Sequence, residues 1–248
     1  MNGKGAGYPY PAQRCSDRRC RSYSSSASFG LFGPRERGIP ILAYGASAQA
    51  DPIYWNTWTS TTAGTLTAPG GPVAVTFSGP AFGYLPSYPS WTPAATFADG
   101  AVVDNGPVSS NGIMQLRGGT GALNTVSFAT PVVDPVMAIW SLGQGGTQAT
   151  FVFSGATPPL VSGGASAEYG GSTIAVSNST VSGVEGNGTV QFTGTYSSIS
   201  WTNPVFENWY GFNVGIAAAV PEPGSYSLML AGLGLLGAVA RRRSSPAT

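Results

Sequence analysis

Two glutamates, Glu185 and Glu207, are the first residues in this sequence whose chemistry needs weighing. A pair of carboxyls flanking a glycosidic bond can protonate the leaving oxygen and assist the attack, so an acid pair in a β-rich chain raises glycoside hydrolysis. The local sequence argues for a structural role. Glu185 opens the turn-forming run Glu185-Gly186-Asn187-Gly188, and Glu207 follows a Pro-Val corner. No histidine occurs in the 248 residues, which excludes the Ser-His-Asp triad, the Cys-His dyad and every histidine-containing metal site. Cys15 and Cys20 lack the second ligand pair of a zinc site, and Asp99, Asp104 and Asn105 do not form the alternating acid and glycine loop that calcium uses. The expectation is a non-enzymatic chain with no catalytic residue, no metal and no cofactor.

Aromatic residues carry the other candidate chemistry. Trp55, Trp58, Trp91, Trp140, Trp201 and Trp209 are the six tryptophans, and exposed aromatic faces stack on sugar rings. Trp140, Trp201 and Trp209 sit in strand-like patterns and read as core. The segment Tyr84-Leu85-Pro86-Ser87-Tyr88-Pro89-Ser90-Trp91 is proline-rich between strands and reads as a surface loop, so Tyr84, Tyr88 and Trp91 are the expected glycan contacts. Thr59, Thr61, Thr62, Thr65 and Thr67 cluster without a repeating period, which argues against a flat ice-binding face.

The elements that must position these residues are strands. Between residues 51 and 219 apolar residues alternate with polar ones over short runs, and no window of a dozen residues has helical spacing. The pattern predicts strands over 53–62, 73–77, 95–103, 112–117, 123–129, 136–141, 148–154, 173–176, 181–184, 189–195, 197–202 and 209–216, separated by Gly, Pro, Asn and Ser clusters. Gly (36) and Pro (20) make up nearly a quarter of the chain, and charged residues only 8 %. The expected fold is all-β: an antiparallel β-sandwich of jelly-roll type, with a barrel as the alternative. One internal echo supports it. Val126-Ser127-Phe128-Ala129-Thr130-Pro131-Val132-Val133-Asp134 lines up with Ile199-Ser200-Trp201-Thr202-Asn203-Pro204-Val205-Phe206-Glu207. Each copy is an apolar-polar-aromatic strand ending at a Pro-Val corner, followed by an acid and a returning strand, as equivalent hairpins of one sandwich would be.

Charge divides the chain into regions. Residues 1–50 carry a net +5, residues 51–220 a net −6 with Arg117 as their one basic side chain, and residues 221–248 a net +2. A region that poor in cations cannot neutralise phosphates, which excludes nucleic acid as a partner. In the first region the apolar stretch after Arg35 and Arg37 runs into Ala48-Gln49-Ala50, the order of a secretory signal. The expectation is a disordered leader over 1–50 with a signal peptide at about 36–50, cleaved between Ala50 and Asp51. Both cysteines would leave with it.

The last region is the most specific. Val220-Pro221-Glu222-Pro223 precedes an apolar helical run from Tyr226 through Leu228, Leu230, Leu233, Leu235 and Leu236 to Ala240, closed by Arg241-Arg242-Arg243 and a tail at 244–248. As a helix, 226–240 spans about 23 Å, short of a ~30 Å hydrocarbon core, so the expectation is a short, temporary transmembrane helix in the inner membrane. The arginines place the tail on the cytoplasmic side and the domain outside. These three parts in this order, over residues 220–243, resemble the PEP-CTERM sorting signal. The resemblance implies an exosortase as partner, cleavage near Pro221-Glu222-Pro223, and delivery to the cell surface or an extracellular polysaccharide matrix. The stretch from Glu185 to Phe212 resembles the final strands of exported proteins bearing that signal, and implies a compact extracellular domain without assigning an activity. A carbohydrate-binding module of the matrix is the alternative function, and glycoside hydrolysis the least favoured.

Overall fold

The computed structural model of the chain describes residue 50 and residues 52–217 and 228–236. The readings made for the leader, Ala48, Asp51, Val220, Pro221, Glu222, Pro223, Tyr226, Ala240 and Arg241 to Arg243 lie outside the described residues. Ala50, at the expected cleavage point, is buried.

The strands, in chain order, are β1 (Ile53–Trp55), β2 (Thr57–Trp58), β3 (Ala63–Ala68), β4 (Gly71–Ser78), β5 (Ala81–Leu85), β6 (Ile113–Leu116), β7 (Thr120–Val133) and β8 (Val136–Leu142). They continue with β9 (Ala149–Phe153), β10 (Leu160–Gly163), β11 (Ser172–Thr173), β12 (Ala175–Ser177), β13 (Thr180–Gly183), β14 (Gly186–Gln191), β15 (Thr195–Asn203) and β16 (Tyr210–Ala217). A one-turn helix α1 (Ala94–Phe97) lies between β5 and β6.

These strands form two eight-stranded sheets. The first runs β10-β14-β8-β16-β6-β5, with β1 on β16 and β11 on β14; the second runs β12-β13-β9-β15-β7-β4-β3-β2. All pairs are antiparallel except β11 with β14. The quartet β6-β16-β8-β14 belongs to one sheet and β7-β15-β9-β13 to the other. Following the chain, β6, β7, β8 and β9 alternate between sheets, as do β13, β14, β15 and β16, which is the winding of a jelly roll. The expected sandwich is thus the observed architecture.

The sequence echo has a place in that winding. Its two leading strands, β7 and β15, pair with each other in the second sheet, and its two returning strands, β8 and β16, pair in the first. The corners differ from expectation. β15 ends at Asn203 before Pro204, but β7 runs through Pro131 to Val133, with its register against β15 broken between Ser127 and Val132. A proline that cannot donate is accommodated at that irregularity.

Met114, Met137, Ile139 and Phe212 of the first sheet meet Phe77, Val126, Phe151 and Trp201 of the second in the main core. Trp201 stacks on Phe151 at 5.5 Å and meets Phe212 edge-on at 5.1 Å, tying the sheets together. The first sheet is also covered on its outer face. Every residue of β8 is buried, with Val136, Ala138 and Trp140 facing a second core that Tyr88, Trp91, Phe97 and Val103 complete. Those four come from the connection between β5 and β6, so this segment is a cover and not a protruding loop.

Three other expectations change. The strand predicted over 95–103 is instead α1 followed by a turn. Asp99 Oδ1 accepts the N–H groups of Ala101, Val102 and Val103 at 3.1, 2.9 and 2.8 Å, bonds that compete with a ladder. The strand predicted over 53–62 is two short strands, and the next strand, β3, begins at Ala63. β3, β5 and β10 were not predicted; β5 and β10 are short, carry a glycine and pair with a single neighbour at an edge. At the other end a helix, α2, covers residues 228–236 with Leu228, Leu230, Leu233, Leu235 and Leu236 exposed. Among the described residues no helix is long and apolar enough to cross a membrane; of the transmembrane helix expected over 226–240, the described residues 228–236 are helical.

Candidate functional site

Three connections converge at one end of the first sheet. The end of β8 supplies Ser141 and Gly143, the turn before β14 supplies Glu185, and the link from β15 to β16 supplies Glu207, Asn208 and Trp209. With Gln144 and Tyr169 they line a cleft of about 190 Å³. Glu185, read as a turn residue, and Glu207, read as a corner acid, face the same space.

The local backbone is unusual there. Ser141 and Glu185 adopt left-handed φ values of 53° and 52° although neither is glycine. Each is held by hydrogen bonds that offset the cost. Ser141 N–H donates to Asn187 Oδ1 at 2.8 Å, and the Ser141 hydroxyl donates to Glu185 Oε2. Asn187, fully buried, donates from Nδ2 to the carbonyls of Glu185 at 2.9 Å and Gly170 at 3.2 Å. One side chain therefore fastens the β8 end, the Glu185 turn and the segment next to Tyr169.

Glu207 is secured from the opposite side. Its Oε2 accepts the Gly143 N–H, its own N–H donates to the Arg117 carbonyl at 3.0 Å, and Asn208 N–H donates to Gln144 Oε1 at 3.3 Å. Gly143 has φ 81°, and a Cβ there would run into the Gly183 carbonyl oxygen, so the position requires glycine. The Glu207 side chain is 1 % exposed. Burial pushes its carboxyl up to about 8; the Gly143 N–H opposes this and the neighbouring charge of Glu185 adds to it. At neutral pH the cleft thus holds one neutral carboxylic acid beside a second carboxyl. Tyr210, buried close to Glu207, has a hydroxyl without a partner, and burial raises it above the ordinary phenol range.

Aromatic rings form the remaining wall. Trp209 is half-buried and stacks on the fully buried Trp140, centroids 4.9 Å apart and planes at 28°. Tyr169, 53 % exposed, lies 5.3 Å from the same Trp140. Behind them Tyr88 meets Trp140 edge-on at 5.1 Å and donates its hydroxyl to Glu168 Oε2 at 2.9 Å. The lining contains no basic side chain. Arg117 is not among the lining residues; its Nε donates to the Asn208 carbonyl at 2.8 Å and its guanidinium stacks on Phe82.

The residues expected to touch a glycan are placed otherwise. Tyr88 and Trp91 are 5 % and 3 % exposed, Trp91 donates Nε1–H to the Gly112 carbonyl at 3.1 Å, and Tyr84 is half-buried in β5. The segment covers the first sheet, and the rings of Tyr88 and Trp91 turn inward. Trp140 and Trp201 are core as read, but Trp209, read as core, borders the cleft. Tyr169, Ser141 and Gln144 had no distinguishing sequence signal beyond their Gly-rich surroundings. Of the Asp99, Asp104 and Asn105 group, Asp99 caps its own turn and Asn105 Oδ1 accepts the Ile53 N–H at 2.8 Å. Burial works against ionisation of Asp99, but its backbone N–H partners outweigh this and hold the carboxyl below the usual range. Among the described residues no three His, Cys, Asp or Glu side chains converge as a metal site would require.

Comparison with known proteins adds one finding about the chain's far end. The profile of the PEP-CTERM protein-sorting motif matches residues 219–243, directly after β16. No curated protein and no solved structure matches the chain. The chain carries a PEP-CTERM sorting motif, which supports exosortase-dependent sorting of an exported protein by way of a membrane-anchored precursor.

Proposed function

We propose that this chain is a non-enzymatic protein of the cell surface or extracellular polysaccharide matrix, and that its jelly-roll domain is the exported product. The observation that carries this reading is the sorting motif at 219–243, which begins within two residues of the last core strand at Ala217. In this reading Val220, Pro221, Glu222 and Pro223 are presented to an exosortase between the folded domain and the apolar helix. Arg241, Arg242 and Arg243 hold the tail on the cytoplasmic side until cleavage. The test is mass spectrometry of both termini in cells with and without the exosortase. The expected mature chain starts near Asp51 and ends near Pro221-Glu222-Pro223 only where the exosortase is present. An uncleaved tail in exosortase-bearing cells would refute the reading.

Carbohydrate binding is the second reading, and the cleft favours it. A concave space with aromatic walls and a few convergent polar groups is the usual form of a small-ligand site. Tyr88 packs behind that wall, against Trp140 and Trp209.

A further inference from the structure

We propose that the cleft between Glu185, Glu207, Tyr169 and Trp209 binds one ring of a neutral saccharide chain, with Trp209 as the stacking platform. This rests on the second reading above and names its site and ligand class.

Charge selects first. The lining has two carboxyls and no cation, and the guanidinium of Arg117 is taken up by the Asn208 carbonyl and Phe82, so uronates, sulfated sugars and phosphates find no opposite charge there. Shape selects next. One face of Trp209 is covered by Trp140 and Tyr88 meets the ring edge-on at 6.1 Å, while the half-buried side chain borders the cleft, an arrangement suited to a flat ring lying against its other face. A cage for a quaternary ammonium group needs aromatic faces on several sides. Polar groups then match hydroxyls. Glu185 accepts from adjacent sugar hydroxyls, the protonated carboxyl of Glu207 offers a donor as well as an acceptor, and the Gln144 amide lies beside them. Tyr169, exposed at the rim, covers the ring from the solvent side. The left-handed backbone at Ser141 and Glu185 serves the same end, because it aims the carboxyl of a turn residue into the cleft. A volume of about 190 Å³ admits a single ring, with the chain leaving through the open side.

The experiment is an array of neutral gluco-, manno-, galacto- and xylo-oligosaccharides, with oligogalacturonate and choline included, followed by calorimetry on the full chain in detergent. The expected result is binding of at least one neutral series, weakened about tenfold in Trp209→Ala and several-fold in Tyr169→Ala, and within about threefold of wild type in Trp209→Phe. Tyr169 is exposed, so Tyr169→Ala remains informative even if Trp209→Ala does not fold. Neutral-glycan binding that neither alanine variant weakens overturns the site but leaves carbohydrate binding standing. No binding across the neutral series overturns both. Preference for oligogalacturonate or choline overturns the ligand class, and release of new reducing ends overturns the non-enzymatic reading.

Discussion

Replacing Glu207 by glutamine isolates the energetic consequence of a buried acid at the cleft. Glu207 is raised from an ordinary value of 4.5 to about 8 by burial, with the Gly143 N–H opposing and Glu185 adding to the rise. Between those two pH values the folded chain keeps a proton that the unfolded chain has released. The stability this contributes is fully present below about pH 4.5 and is lost as pH rises through about 8. Each pH unit of the mismatch is worth about 1.4 kcal/mol, so the whole window amounts to roughly 4–5 kcal/mol as a ceiling. Water entering from the cleft stabilises the charged form, which reduces the expected loss to about 2–4 kcal/mol. Against the ~5–15 kcal/mol total of a typical domain this is readily measured. Glutamine keeps the shape and an oxygen for the Gly143 N–H but does not titrate.

The assay is urea unfolding followed by tryptophan fluorescence at pH 5, 6, 7 and 8, extrapolated to zero denaturant. The chain has no histidine, so no imidazole titration overlaps the window. Wild type should lose stability steadily over this range, Glu207→Gln should be nearly flat, and the variant should be the more stable of the two at pH 8. Parallel slopes in the two proteins would refute the argument, since the pH dependence would then arise from other groups.

Three further outcomes follow from the geometry. Gly143→Ala places a Cβ against the Gly183 carbonyl at φ 81° and should cost about 2 kcal/mol or more in the same urea assay. Trp91→Ala empties a buried site that packs on Phe97 at 5.1 Å, and should lower stability by about 3–5 kcal/mol while leaving any neutral-glycan affinity within about twofold. Replacing Pro221 and Pro223 together by alanine should leave the uncleaved precursor in the membrane fraction, seen as a heavier band by immunoblot, with the domain's thermal unfolding unchanged.

Much of the architecture was legible in local sequence. Strands such as β9 and β15 show apolar residues at alternating positions because the pleat sends successive side chains to opposite faces. The echo of 126–134 at 199–207 was a real trace of the jelly roll, whose matching strands lie side by side. Where the reading failed, a nonlocal partner decided the matter. β5 and β10 lack alternation and are strands because β6 and β14 offer them free edges. The segment from Tyr88 to Val103 has the apolar content of a strand, yet Asp99 turns it and the exposed outer face of the first sheet draws its rings inward. That the same rings looked like a ligand surface follows from composition alone, which does not say which way a side chain points.

The sequence by itself determined the sorting motif and the all-β class. A linear signal is read by its partner as consecutive residues, and alternation is a property of one strand, so neither needs a distant contact. Only the tertiary structure decided that Glu185 and Glu207 share a cleft, that Trp209 borders it, and that Tyr88 and Trp91 stand behind it. Those relations are set by strand pairing, which brings the connections after β8, before β14 and after β15 to one end of the sheet. Burial then turns a carboxyl that the sequence shows as an ordinary corner acid into one that keeps its proton at neutral pH.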